Sequence, residues 1–313
     1  MKGLELSKRY YEEYGAPIIK EKFSDIEGVI AIGLFGEGSE CFGFDDEVSI
    51  DHDFEPGFCI MLPDESVVSR RKAFELERAY AKLPDEFLGY KRQKISPVGG
   101  NRRGVIRISE FLKSKVGKED GLIEGDEWFT VPETFLAEVT NGEVFKDDQG
   151  TFSGIRAYLS EYPKDVKLKK LAGNLLISAQ AGQYNYPRCV SRGERAAAQV
   201  CAIKFTESIM NCMFLLSNKY KPYYKWTFKA FSRLEKFSRL YDSLEYLITT
   251  DNSDETAKVK SAVIEDICGE VIKELKREGL TDATCGDLEK HAYSVNDRIK
   301  DGVLRTKHIL SAV

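Results

Sequence analysis

Two aspartates one residue apart, Asp51 and Asp53, follow a glycine-serine pair, Gly38-Ser39, with eleven residues between Ser39 and Asp51. On a strand, residues i and i+2 point to one face, so these carboxylates aim together, about 7 Å apart along the backbone. Such a pair suits Mg²⁺ (or Mn²⁺), a hard cation that takes oxygen ligands and usually binds through one or two carboxylates plus substrate phosphates. The turn Gly36-Glu37-Gly38-Ser39 offers backbone N–H groups to the same phosphates. The chemistry predicted is therefore metal-assisted handling of a phosphate-bearing substrate. Asp51 and Asp53 are the candidate catalytic and metal-ligating residues, and Gly36, Gly38 and Ser39 the candidate phosphate-binding residues. The same residue types also build an ordinary solvated turn with aspartate caps, and that alternative stays open.

The elements that must position these residues are legible on either side. Val29–Phe35 is an apolar run that predicts a strand into the turn. A second strand is expected from about Asp51, interrupted at Glu55-Pro56-Gly57 because proline removes a ladder donor, and resumed over Phe58–Leu62. Residues 3–23 read as an amphipathic helix, and 67–83 as another with Phe74, Leu76 and Ala79 facing inward. Residues 90–104 read as a basic loop. Glu133–Thr140 reads as a helix capped by Asn141-Gly142, and Phe145–Gly150 as a turn.

The order of strand, glycine turn, serine and Asp-x-Asp resembles the nucleotidyltransferase superfamily of DNA polymerase beta type. The wider stretch from Gly36 to Phe54 also resembles an uncharacterised bacterial family carrying a domain of unknown function in that superfamily. That second resemblance runs through most of the chain, including Gln180–Arg188 and Lys221–Trp226. It implies an α+β fold, with an N-terminal mixed sheet and helices followed by a C-terminal helical bundle. The implied activity is transfer of an NMP, AMP from ATP, to an acceptor hydroxyl with Mg²⁺. Superfamily members supply a third carboxylate from a later strand, which points to Val105–Glu110 and makes Glu110 the third candidate metal ligand. Glu110 reads more simply as a glutamate in a helix first turn before Phe111-Leu112. Glu138 and Glu143 are further candidates. Without a clean third acid, the alternative is a catalytically weakened nucleotide-binding regulatory or antitoxin-like module.

Net charge is −5, but residues 1–62 hold 14 acidic against 5 basic side chains, while 160–240 hold 5 acidic against 15 basic. The division expected is 1–150 as the nucleotidyltransferase-like domain and 151–313 as a helical substrate or partner domain, with helices over 164–182, 192–218, 227–250, 256–277, 284–300 and 303–312. Gln180–Arg188 with Arg192 and Arg195 is the expected wall for base or phosphate recognition, since Arg forks onto phosphate and tyrosine stacks on a purine. Lys221–Trp226 forms a second polar-aromatic turn. The acceptor is a small molecule, a protein or RNA. The seven cysteines form no Cys-x-x-Cys pair and suit a reduced, cytoplasmic protein. The longest apolar helix carries too many ionisable groups to span a membrane. His52 is expected to be a buried structural residue, and His291 and His308 to sit on helix surfaces.

Overall fold

A computed structural model describes residues 1–48, 54–92 and 102–313. The chain is α+β. It divides into two compact units, one of residues 1–123 and 131–160, the other of residues 124–130 and 161–313.

The first unit is built on a mixed four-stranded sheet. Its strands are β1 (Ala31–Leu34), β2 (Cys59–Leu62), β5 (Gly104–Arg107) and β6 (Glu143–Asp147), in the order β5-β2-β1-β6. β1 runs antiparallel to β2 and β6, and β2 parallel to β5. A separate hairpin pairs β3 (Glu86–Phe87) with β4 (Tyr90–Lys91). β1 and β2 are buried along their whole length. Both faces of the sheet are covered, which is why these strands read as unbroken apolar runs. Ile30, Ile32, Ile60 and Leu62 share one core with Leu6 and Tyr10 of α1 (Gly3–Tyr10), Ile19 of α2 (Ala16–Lys22) and Leu76 of α3 (Arg70–Ala81). On the other side lie α4 (Ile108–Val116), α5 (Glu133–Thr140) and α6 (Thr151–Leu159). There the Phe35, Phe111 and Phe152 rings meet with centroids 4.9–5.9 Å apart.

Several expectations change here. The helix over residues 3–23 is continuous only through a π-turn at Tyr11–Gly15. Phe74 is 58% exposed rather than inward, whereas Leu76 and Ala79 face the core as expected, joined by Ala73 and Tyr80. The turn expected over Phe145–Gly150 begins only at Asp148, because Glu143–Asp147 is a strand whose backbone is satisfied by pairing with β1. β2 begins at Cys59, and the pair Asp51 and Asp53, with His52, lies outside the described residues.

The second unit is helical. α7 (Lys164–Ser178) does not stop at Gly182. A π-turn at Ala179–Asn185 carries it into α8 (Tyr186–Ser191). Gly182 has no positive φ and instead brings the backbone against the Phe205 ring, so it does not act as a helix stop. α9 (Arg195–Leu216) is central. Its Ser208 hydroxyl lies 2.8 Å from that of Ser178, and Asn211 donates to Asn174 at 2.9 Å. The single helix expected over 227–250 is broken into α10 (Thr227–Phe231) and α11 (Tyr241–Thr249), with Leu234 and Phe237 buried in the break. α12 (Asp254–Arg277), α13 (Leu288–Asp297) and the short α14 (Gly302–Thr306) follow. His291 of α13 is fully buried rather than on the surface, 2.8 Å from the Thr281 hydroxyl and 2.9 Å from the Cys285 carbonyl. No helix among the described residues is long and apolar enough to cross a membrane.

Candidate functional site in the first unit

The turn after β1 is held from several later segments. Gly36 and Gly38 have φ of +103° and +118°, a left-handed geometry that an L side chain strains. The Gly36 N–H donates to Asn141 Oδ1 and Asn141 Nδ2 donates back to the Gly36 carbonyl, both at 2.8 Å. Asn141 is the C-cap of α5, and its own carbonyl accepts from Arg156 of α6. Ser39 is the N-cap of a 3₁₀ turn, Glu40–Phe42, and its carbonyl accepts from Phe44 N–H at 2.8 Å.

Glu40 is buried, and its carboxylate lies against Gly38, where a Cβ would stand 2.5 Å from Glu40 Oε1. Arg103 pairs with it at 3.1 Å and donates to the Glu55 carbonyl. Burial pushes the Glu40 carboxyl above its ordinary range, and Arg103 offsets only part of that rise. Asp45, just beyond, accepts the Gly3 N–H at 2.9 Å and so caps α1.

Gly36 and Glu37 line a cavity of about 210 Å³ with Cys59, Arg102, Ile106, Glu110 and Lys115. Glu110 sits in the first turn of α4, the helix-start position, where the helix dipole favours a carboxylate. Among the described residues no hydrogen bond or ion pair engages its carboxylate. Lys115 reaches Glu37 at 2.7 Å and Glu138 at 2.6 Å. Burial opposes the Lys115 charge, but these two bonds prevail and hold it above the usual lysine range. The same contact draws Glu37 down, while burial lifts Glu138. Burial also pushes the Cys59 thiol up to about 12, which makes it inert on this wall. Glu143, the other acidic candidate, is paired with Lys8 at 2.5 Å.

The structure thus brings Gly36 and Glu110 to one cavity. Gly38 and Ser39 are not among its lining residues, and Gly38 lies against the Glu40 carboxylate. No cluster of three or more His, Cys, Asp or Glu able to hold a metal occurs among the described residues, a set that excludes Asp51 and Asp53.

Residues 128–227 match a family model described as a domain of unknown function (DUF4037). The match takes in Gln180–Arg188 and Lys221–Trp226 and leaves the Gly36 turn outside it. No curated protein matches the chain.

The arginines expected at a recognition wall lie in the second unit. Arg188 stacks over Tyr184, 4.9 Å from the ring centroid. Arg192 is the C-cap of α8. Arg195 lies 3.9 Å from Asp254 and lines a separate cavity of about 500 Å³ with Gln199 and residues 248–253. Gln183 is a structural clamp, bonded to Glu265 and Gly286 and accepting the Leu288 N–H. Tyr186 is fully buried and bonds Asn252 at 2.8 Å, so it offers no face for stacking.

Glu40 and Lys115 carried no signal as site residues, and Asn141 and Arg103 only an indirect one. Their partners lie 105, 63 and 78 residues away for Asn141, for Glu40 with Arg103, and for Lys115 with Glu37. Only the Asn-Gly cap and the basic loop hinted at two of them.

Proposed function

We propose that this chain is a nucleotidyltransferase that moves an NMP, AMP from ATP, to an acceptor hydroxyl. The observation that carries this reading is the cavity in which the Gly36-Glu37 turn meets the Glu110 carboxylate, which no described residue engages, and the cations Arg102 and Lys115. The acceptor oxygen attacks the α-phosphorus, the bond to the bridging oxygen breaks, pyrophosphate leaves, and the acceptor's proton departs as the new P–O bond forms. Arg102 and Lys115 offset phosphate charge at the cavity wall. The donors fit a hard divalent cation: Asp51, Asp53 and Glu110 are all carboxylates, and Glu110 opens on the cavity. Bound there, Mg²⁺ (or Mn²⁺) would offset charge on the transferred group. The acceptor is a small molecule, a protein or RNA. The seven cysteines are free thiols and suit the cytoplasm.

A second reading, a nucleotide-binding module that has lost turnover, is favoured by one observation. The Glu40 carboxylate occupies the concavity beside Gly38. A triphosphate received there must first turn Glu40 aside. Incubation with each labelled NTP and Mg²⁺ or Mn²⁺, comparing native protein with Asp51→Ala plus Asp53→Ala, separates the outcomes. Pyrophosphate release that survives the double change overturns the proposed site. NTP binding without turnover across an acceptor panel selects the second reading.

A further inference from the structure

The second unit carries an exposed aromatic and basic stretch that the nucleotide reading does not use. Tyr220 packs edge-on to Tyr162 with centroids 5.0 Å apart, and Pro222 is buried, so both anchor the segment. The Trp226 N–H donates to the Tyr223 carbonyl at 2.9 Å and closes a turn. Between these anchors Tyr223 and Tyr224 project outward, 43% and 76% exposed, with ring centroids 4.3 Å apart. Trp226 lies 6.3 Å from Tyr223 and carries Lys225 over its face at 4.6 Å.

The charge along this stretch is mostly positive. Residues 219–239 hold seven basic side chains and a single acidic one, Glu235. Lys236 and Arg239 are neutralised by Glu274, Glu278 and Glu270. Lys219, Lys221 and Lys225 have no ion pair among the described residues; Lys221 donates to the neutral Asn211 at 2.6 Å. Water-exposed tyrosine faces beside uncompensated ammonium groups match the two parts of a single strand, stackable bases and a phosphate backbone. The rings alone would suit a protein partner too, but lysine is depleted in the cores of protein interfaces, so three ammonium groups beside them favour a phosphate backbone.

We propose that residues 219–226 form a binding surface for single-stranded nucleic acid. Bases stack on Tyr223 and Tyr224, and phosphates sit on Lys219, Lys221 and Lys225. This surface is independent of the Gly36 cavity, and the Asp51→Ala plus Asp53→Ala protein is expected to retain it.

The test uses the full chain with fluorescein-labelled rU12, dT12 and a 12-base-pair duplex, followed by anisotropy across a KCl series. Quenching of Trp226 gives a second readout, since Trp128, the other tryptophan, is buried. Three phosphate contacts predict log K falling with log salt at a slope of about −2. Tyr223→Ala plus Tyr224→Ala is expected to weaken binding at least about tenfold, and Tyr223→Phe plus Tyr224→Phe, which keeps the faces, to preserve it. Replacing the three lysines by serine is expected to flatten the slope. Tighter rU12 binding assigns RNA as the partner, tighter dT12 binding assigns DNA, and equal affinity supports a surface that reads stacking and charge alone. Unchanged affinity in the alanine pair, duplex bound as tightly as single strands, or no binding at low salt overturns the proposal.

Discussion

Replacing Asn141 by alanine removes the reciprocal pair that fixes Gly36, and its cost can be worked from the contacts. Two hydrogen bonds of 2.8 Å are lost, each worth about 1 kcal/mol net. Gly36 is buried, so its N–H and carbonyl are left without their partners. The cavity beside it admits water, which lowers the penalty for orphaning them. A total of about 2 kcal/mol is therefore expected. The backbone of residue 141 keeps its own bonds to Ala137 and Arg156, so α5 and its C-cap persist. The loss should appear locally, as an approximately 30-fold faster exchange of the Gly36 amide, with Ile32 and Gly33 of β1 as references.

Asn141→Asp gives the internal control. It retains an acceptor for the Gly36 N–H but sets a carboxylate against the Gly36 carbonyl. Stability should fall about as far as in the alanine variant, while the Gly36 amide stays protected. Amide exchange read by NMR or mass spectrometry separates the two variants. A Gly36 amide that exchanges equally in native and Asn141→Ala protein would refute the clamp. So would an acceleration spread evenly along β1.

Gly142→Ala places a Cβ 2.0 Å from the Leu34 carbonyl at a φ of +62°. The left-handed conformation alone costs about 1 kcal/mol, the backbone must also shift, and a drop in melting temperature of roughly 3 °C or more is expected; an unchanged melt contradicts the packing described. Tyr186→Phe should cost only about 1 kcal/mol in urea unfolding, because Asn252 Oδ1 still accepts from Lys260 at 3.3 Å. Asn252→Leu should cost clearly more, since it strips partners from Tyr186, Lys260 and Gln199 together; equal costs argue against a shared network. Glu274 is drawn from 4.5 to about 2, first by its bond to Arg277 and then by Lys236. A depressed carboxyl contributes stability that is present above pH 4.5 and lost as pH falls through about 2. Glu274→Gln should flatten the acid limb of a pH–stability curve by about 1–2 kcal/mol, and an identical limb excludes that contribution.

The parts of this fold that were legible in sequence are those whose cause is local. The apolar run Val29–Phe35 contains β1, Glu133–Thr140 is α5 to the residue, and the wide apolar stripe after Asp254 is α12. In each case the pattern and the physical driving force sit in the same few residues. β6 was hidden because Glu143–Asp147 has only Val144 and Phe145 to declare a strand; what makes it one is a ladder to β1, more than a hundred residues earlier. The helix past Gly182 was hidden because glycine there serves a close approach to Phe205, which sequence cannot distinguish from a stop.

The candidate site divides along the same line. The left-handed glycines of the turn are written locally, and so is the helix start that carries Glu110. What stands around the turn is supplied from elsewhere: Asn141 at the end of α5, Arg103 at the head of β5, and Lys115 on α4 with its partner Glu138. The local motif specifies a bend of positive φ but not the occupant of its concavity. Here a carboxylate from two residues downstream lies against Gly38, and a buried arginine holds it there. Anion-binding geometry in a glycine turn is thus compatible with a ligand's phosphate and with the chain's own glutamate. Which of them wins depends on whether the incoming charge can draw Arg103 away from Glu40, a competition set by residues that no pattern around Gly38 contains.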